Sequence, residues 1–436
     1  MSRAIKYFWG VSVMGHSVLN SVFNLYFAFF LTDILALPAG YTSFILLFTS
    51  IADCFLILAS GAIIDGMKPM RWGKMRSWLL VAPLVVLIFF PMLFVRIGSF
   101  GVNAFVITLA YLVFKLFFNF AYSADFAIIP NLARNTERQS WLVSNRMTYS
   151  YVGVLLCGYA VPVLINGAFR DFFGTTFSYF VIALCAALIY LLSVWAHFAM
   201  SKGYEYQNAS KVTLRQMFTA IVKTPSLLPA IISDTASTAS SFVLPALTVY
   251  YYTHIIMNPA LIAIHLPVVS LCGLAGAFFA RFITLKLPAR TACLSIYPVI
   301  AIVFLGTQFV AYNPVAFIVL SAVGQLFLGS TQPVESNLYL DSIRYSEWKT
   351  GINARAAIAS ISGLSPVGST FIKSVILSLF LFITGYDAQE VGIAAKRGII
   401  AAYSFTPAIL MLAAWLSMFF FYKLTPEKMN EINNAK

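Results

Sequence analysis

Charge is scarce in this 436-residue chain: Asp, Glu, Lys and Arg together make up 10% of it, and there are only 15 acids against 28 bases. So little polar surface cannot coat a soluble globule of this size, which excludes the ordinary cytosolic classes. The five cysteines, Cys54, Cys157, Cys185, Cys272 and Cys293, form no CxxC pair and lie within apolar runs, which argues against a disulfide framework or a metal cluster. A His/Glu zinc motif, a phosphate loop and a nucleophile elbow are also missing, so a polytopic membrane enzyme is the weakest reading and no cofactor is expected. The first apolar stretch is too long for a cleavable signal and lacks a small-residue cleavage site.

What the chain has in excess is apolar length. Residues of hydrophobic type make up 60% of it, and 40 are Phe. Windows long enough to cross a hydrocarbon core of about 30 Å as a helix recur twelve times, at 8–32, 41–65, 77–97, 101–131, 141–167, 174–200, 225–253, 258–285, 290–312, 314–343, 354–385 and 398–423. These runs are apolar throughout, whereas barrel strands would alternate. The sequence therefore predicts an all-α polytopic membrane protein whose main partner is the lipid bilayer.

The formal charge of +13 points first to nucleic acid, but its distribution points elsewhere. With both termini inside, most bases fall on the inner face, from Arg3 and Lys6 through the 68–76 cluster to Lys423, Lys428 and Lys436, while Arg96, Arg170, Lys396 and Arg397 fall outside. This is the positive-inside asymmetry. It excludes a nucleic-acid partner and predicts cytoplasmic termini in a plasma or bacterial inner membrane. Asn-Ala-Ser at 208–210 matches a glycosylation acceptor, but on the inner face it has no use.

A polar stretch at 201–226 divides the chain. The expected organisation is an N-terminal six-helix bundle over 1–200, a central cytoplasmic loop at 201–224, a C-terminal six-helix bundle over 225–423 and a tail at 424–436. The halves echo each other: ERQSWLVSNR closes on Arg146 before span five, and SEWKTGINAR closes on Arg355 before span eleven. Internal repeats of this kind characterise transporters with a midplane site.

Four stretches also carry a family resemblance. DGMKPMRWGKMRSW (65–78), FFLTDILALPAG (29–40), AIIPNLARNTERQSWLVSNR (127–146) and LDSIRYSEWKTG (340–351) resemble, in order and spacing, the glycoside-pentoside-hexuronide cation symporters, the melibiose permease group of the major facilitator superfamily. The resemblance implies twelve helices in two bundles and cation-coupled import of a sugar, glycoside, uronide or related small solute by alternating access. An exporter or carrier of an amphipathic or organic-anion substrate is the alternative. A monomer is expected.

Polar residues inside spans are functional candidates in their own right, because charge in hydrocarbon is costly. Span one carries His16 and Asn20; span four carries Lys115, Asn119 and Tyr122; span seven carries Asp234, Ser237, Thr238 and Ser241; span ten carries Gln325, Gln332 and Glu335. Spacings of three, four and seven put most of each set on one helical face. Helix-to-helix hydrogen bonding would give the same stripes.

Asp53 lies mid-span where the resemblance implies a coupling carboxylate. Burial disfavours its ionised form and lets it exchange a proton; an ion-pair partner does the opposite. Lys115, equally deep, could be that partner, either in coupling or as a static salt bridge. The resemblance also implies two further acids, but Ile57 and Ser17 stand at those places, with His16 where a Lys often precedes. Sodium is thereby left short of ligands, and a proton becomes the preferred coupling ion, through Asp53, His16 and Lys115.

On the substrate side, Arg146 matches a substrate-associated Arg and could donate paired hydrogen bonds, or it could cap the bundle end. Asp125 lies near the family's helix-four acid, though registering on Pro130 puts Tyr122 there. Val367 stands where a helix-eleven Lys is implied; Lys373 could substitute or snorkel outward. The surplus of cations suits an anionic or amphipathic ligand. In the 65–78 loop, Arg71, Lys74 and Arg76 could pair with Asp65, Glu137 or Asp341, with Arg138 beside them, as an inner gate. Topology and headgroup contact would also account for their charge.

Overall fold

The computed structural model describes residues 3–68, 70–73, 75–127, 136–203, 224–350, 363, 365–424, 428–429 and 431–432. Twelve of its helices are long and apolar enough to cross a membrane, as the apolar windows predict. We number them α1 (Val11–Phe29), α2 (Ala39–Gly66), α3 (Arg76–Phe89), α4 (Phe100–Ala127), α5 (Thr136–Asn166), α6 (Thr175–Met200), α7 (Leu227–His254), α8 (Ile262–Lys286), α9 (Ala289–Gly306), α10 (Pro314–Thr350), α11 (Ser365–Thr384) and α12 (Ile393–Phe421). Helix is forced on these segments because lipid offers backbone groups no partner, so each must bond within its own segment. Internal prolines in α3, α5, α7, α8, α9, α10 and α12 are tolerated because neighbouring helices compensate for the lost bonds.

Two compact units emerge. The first comprises Met1–Asn208 with Met257–Pro267 and Leu377–Gly392; the second comprises Ala209–Ile256, Val268–Ile376 and Ile393–Lys436. In the first unit α1 packs on α5 and α6, and α4 on α2 and α3; in the second α12 packs on α7 and α9, and α10 on α7 and α9. One contact recurs in both units. Trp195 Nε1 on α6 donates to Leu80 O on α3 at 3.1 Å, and Trp415 Nε1 on α12 donates to Leu294 O on α9 at 3.0 Å. The same side chain thus ties the same pair of helix positions in each unit.

The end of α1 departs from a regular helix. Phe30–Ile34 forms a π turn, closed by Leu35 N donating to Phe30 O at 2.9 Å. The wider turn carries Asp33, whose Oδ1 and Oδ2 accept the Tyr386 hydroxyl at 2.8 and 3.0 Å within the first unit.

A close helix approach in the second unit runs through two glycines. A Cβ on Gly276 of α8 would fall on the Leu326 carbonyl oxygen of α10, and one on Gly329 would fall on the Gly273 carbonyl oxygen. Small residues let membrane helices meet at backbone distance. Gly276→Ala is therefore expected to destabilise the protein by about 2–3 kcal/mol, the upper part of the overpacking range. Thermal unfolding in detergent checks this, and an unchanged midpoint would count against the close crossing.

Candidate functional site

Buried charge in the first unit gathers at two places. In the first, Asp53 of α2, 7% exposed, meets Lys115 of α4 with Nζ at 3.1 Å from Oδ2. Tyr111, one turn before Lys115 and so on its face, donates its hydroxyl to the same Oδ2 at 3.0 Å. The Lys115 ammonium also lies 5.6 Å from the centroid of Phe23, 5.7 Å from those of Tyr111 and Phe118, and 6.0 Å from that of Phe114. Aromatic faces attract a cation most where water is excluded. The cage therefore surrounds the Lys115 ammonium with aromatic faces on the sides that Asp53 leaves open. Asp53 Oδ1, by contrast, is buried and has no hydrogen-bond partner among the described residues.

The second place centres on Asp125, 0% exposed. Four helices meet there. Arg146 Nη1 of α5 lies 2.6 Å from Oδ2, His197 Nε2 of α6 lies 2.9 Å from Oδ1, and Ser12 Oγ of α1 donates to Oδ1 at 2.9 Å. His16 sits one turn beyond Ser12, its Nδ1 2.8 Å from the Ser12 carbonyl oxygen. Its ring is set among Phe118, Tyr122 and Tyr190, at centroid distances of 5.0, 5.4 and 4.9 Å. Trp9 closes the cluster, its ring 3.9 Å from that of His197. Arg146 is thus an interior residue bound to a carboxylate, while Tyr122 is 45% exposed.

In the second unit the candidates converge on two acids. Glu335 of α10, 1% exposed, accepts from Ser237 Oγ of α7 at 2.8 Å and from Tyr297 Oη of α9 at 2.9 Å. Asp234 of α7 accepts from Tyr339 Oη at 3.0 Å and from Thr238 Oγ1 at 3.5 Å. Lys373 of α11 is buried. Gln332 is exposed, and Asn20, Asn119, Ser241 and Gln325 are half-buried.

The inner-loop residues are described in part. Arg76 reaches the end of α6: Nη2 donates to Phe198 O at 2.9 Å, Nε to Ser201 Oγ at 3.2 Å, and the guanidinium lies 4.3 Å from the Phe198 ring centroid. This places a cation at a helix C-terminus, where the dipole favours it. Arg71 is exposed beside Trp72, and Asp341 lies 3.9 Å from Arg344. Lys74 and the side chains of Asp65, Glu137 and Arg138 lie outside the described residues.

Sequence reasoning missed His197 and Ser12, and with them the four-helix convergence on Asp125. A histidine near the polar end of an apolar span reads as an interface residue, and a lone Ser has no signature. The one usable signal was the pair Ser12 and His16, four apart on one face of α1.

Spanning helices in two echoing units, with charge buried deep among them, define a polytopic solute transporter. The chain belongs to the MFS/sugar transport protein family, whose model matches residues 8–426. A candidate sulfoquinovose importer of Salmonella typhimurium strain LT2 is 23% identical to it, over 98% of this chain and 91% of the relative. A candidate 2,3-dihydroxypropane-1-sulfonate exporter of the same strain is 25% identical, over 97% of this chain and 93% of the relative. Among solved structures, the nucleoside transporter NupG matches with a TM-score of 0.67 at 12% identity, covering 96% of this chain and 100% of that one. The fold is that of the major facilitator transporters, and the protein is an integral membrane protein.

Proposed function

We propose that this protein moves a small sugar-derived anion, a sulfonate or carboxylate, across the membrane by alternating access, in symport with protons. The observation that carries the reading is the caged Asp53–Lys115 pair. Lys115 lies among four aromatic rings and meets one carboxylate, while Asp53 keeps a buried oxygen with no hydrogen-bond partner among the described residues. A proton arriving at Asp53 Oδ1 neutralises the carboxylate and frees the ammonium for a different anion. Substrate and proton then load together because an uncompensated buried charge is costly in either half-loaded state. The relatives named for a sulfonated sugar and a three-carbon sulfonate support an anionic group, and the lack of further acids beside Asp53 favours the proton over sodium.

Supporting proposals follow from the charge pattern. The protein works as a monomer in a bacterial inner membrane with both termini cytoplasmic, and bundles spanning 1–200 and 225–423 move as the alternating halves. The basic loop at 65–78 serves as the inner gate, and His16, Asn20, Asn119, Tyr122, Gln332 and Lys373 contribute to substrate contact.

Uptake into proteoliposomes tests the main reading. Sulfoquinovose, 2,3-dihydroxypropane-1-sulfonate, a glucuronide and uncharged lactose are supplied under an imposed proton or sodium gradient. One of the anions should accumulate with the proton gradient, and lactose should not. Lactose moving as well as the anions, or sodium driving better than protons, overturns it.

A further inference from the structure

Three buried carboxylates in the described spans have different partners. Asp53 faces Lys115, and Asp125 faces Arg146 and His197. Among the described residues Glu335 meets hydroxyls alone: Ser237 at 2.8 Å and Tyr297 at 2.9 Å. Among the described residues no Lys, Arg or His lies at ion-pair distance from it. The titratable groups around it are Asp234 from α7, Tyr297 and Cys293 from α9, and Tyr339 on its own helix, whose hydroxyl is already given to Asp234. None of these supplies positive charge.

An ionised carboxylate at this buried site has no counter-charge among the described residues, an arrangement that proteins avoid by neutralising the group. Both hydroxyls can donate or accept. They can therefore donate to the carboxylate, as seen here, or turn to accept from the acid. The site thus fits either protonation state without leaving a polar atom stranded. We propose that Glu335 is a second proton-binding carboxylate, in the unit that does not hold Asp53, loaded and emptied once per transport cycle.

The consequence is electrical, and it rests on the anion-symport reading above. A monoanion carried with one proton moves no net charge; carried with two, it moves one positive charge inward. A membrane potential alone should then drive accumulation, by roughly fifty-fold at about 100 mV.

The experiment uses wild-type protein, Glu335→Gln and Asp53→Asn in proteoliposomes, with labelled sulfoquinovose as the probe. Either a pH step or a valinomycin-clamped potassium potential is imposed. Wild type should respond to both, Glu335→Gln to the pH step alone, and Asp53→Asn to neither. Gln keeps the shape and both hydrogen bonds of Glu, and an unchanged thermal unfolding midpoint confirms that the variant is folded. A wild type indifferent to the potential, or a Glu335→Gln that still follows it, overturns the proposal. If sulfoquinovose does not move at all, the substrate reading fails, and infrared titration of the ligand-free protein decides the carboxyl separately. A protonated-carboxyl band that titrates in wild type and Asp53→Asn and is lost in Glu335→Gln upholds Glu335; a band unchanged in Glu335→Gln overturns it.

Discussion

Asp53→Asn should collapse proton-driven accumulation of the substrate to bare exchange. Each coupled proton contributes about tenfold accumulation per pH unit, so a one-unit step should show a fall of at least about tenfold. The amide keeps the size of the carboxyl and can still accept the Tyr111 hydroxyl, which now reaches Asp53 Oδ2 at 3.0 Å. It cannot take up a proton. Lys115 remains within its aromatic cage and, with no carboxylate to displace, should bind an anionic substrate more tightly. Counterflow measured beside gradient-driven uptake separates the two effects. Lys115→Met leaves Asp53 buried and unpaired and should lose several kcal/mol of stability. The double variant should recover that stability and stay uncoupled. Accumulation at the wild-type level in Asp53→Asn would remove Asp53 from the coupling step.

Asp125→Ala should be the most damaging single change to the first unit. The carboxylate answers Arg146, His197 and Ser12 at once, so its loss removes the acid facing a guanidinium buried where four helices meet. Breaking a buried pair from one side costs about 3–5 kcal/mol. A large fall in the unfolding midpoint, with poor recovery from the membrane, is the expected outcome. Removing both charges, as in Asp125→Leu with Arg146→Met, should restore most of the loss, since apolar replacement of a whole buried pair is often neutral. An Asp125→Ala protein within about 0.5 kcal/mol of wild type, the range of an unremarkable surface change, would show that the cluster does not hold the helices together.

The fold was legible because hydropathy and fold are nearly the same information in lipid: a run long enough to span must be helical. The limits of the runs were less legible. Span nine was read to 312, yet α9 stops at Gly306 and turns fill the rest. Spans five and ten were read to begin at 141 and end at 343, yet their helices extend to Thr136 and Thr350. Hydropathy marks where lipid begins, whereas backbone hydrogen bonding carries a helix on into polar surroundings. Asp53 and Lys115 could be paired from sequence because each is a lone charge deep in an apolar window. Asp125 could not be paired with His197, because both lie near span ends, where charge and imidazole are ordinary, and only the packing of α1, α4 and α6 brings them together.

The close, tilted contact of Trp9 with His197, with ring centroids 3.9 Å apart, gives the protein an optical reporter of its own. Indole emission is sensitive to a ring in contact with it, so the fluorescence of Trp9 should follow any repacking of the Asp125 cluster without any attached label. With the other tryptophans replaced by Phe, substrate titrations could be followed in real time in the unmodified membrane, and the first unit would announce its own rearrangements as light.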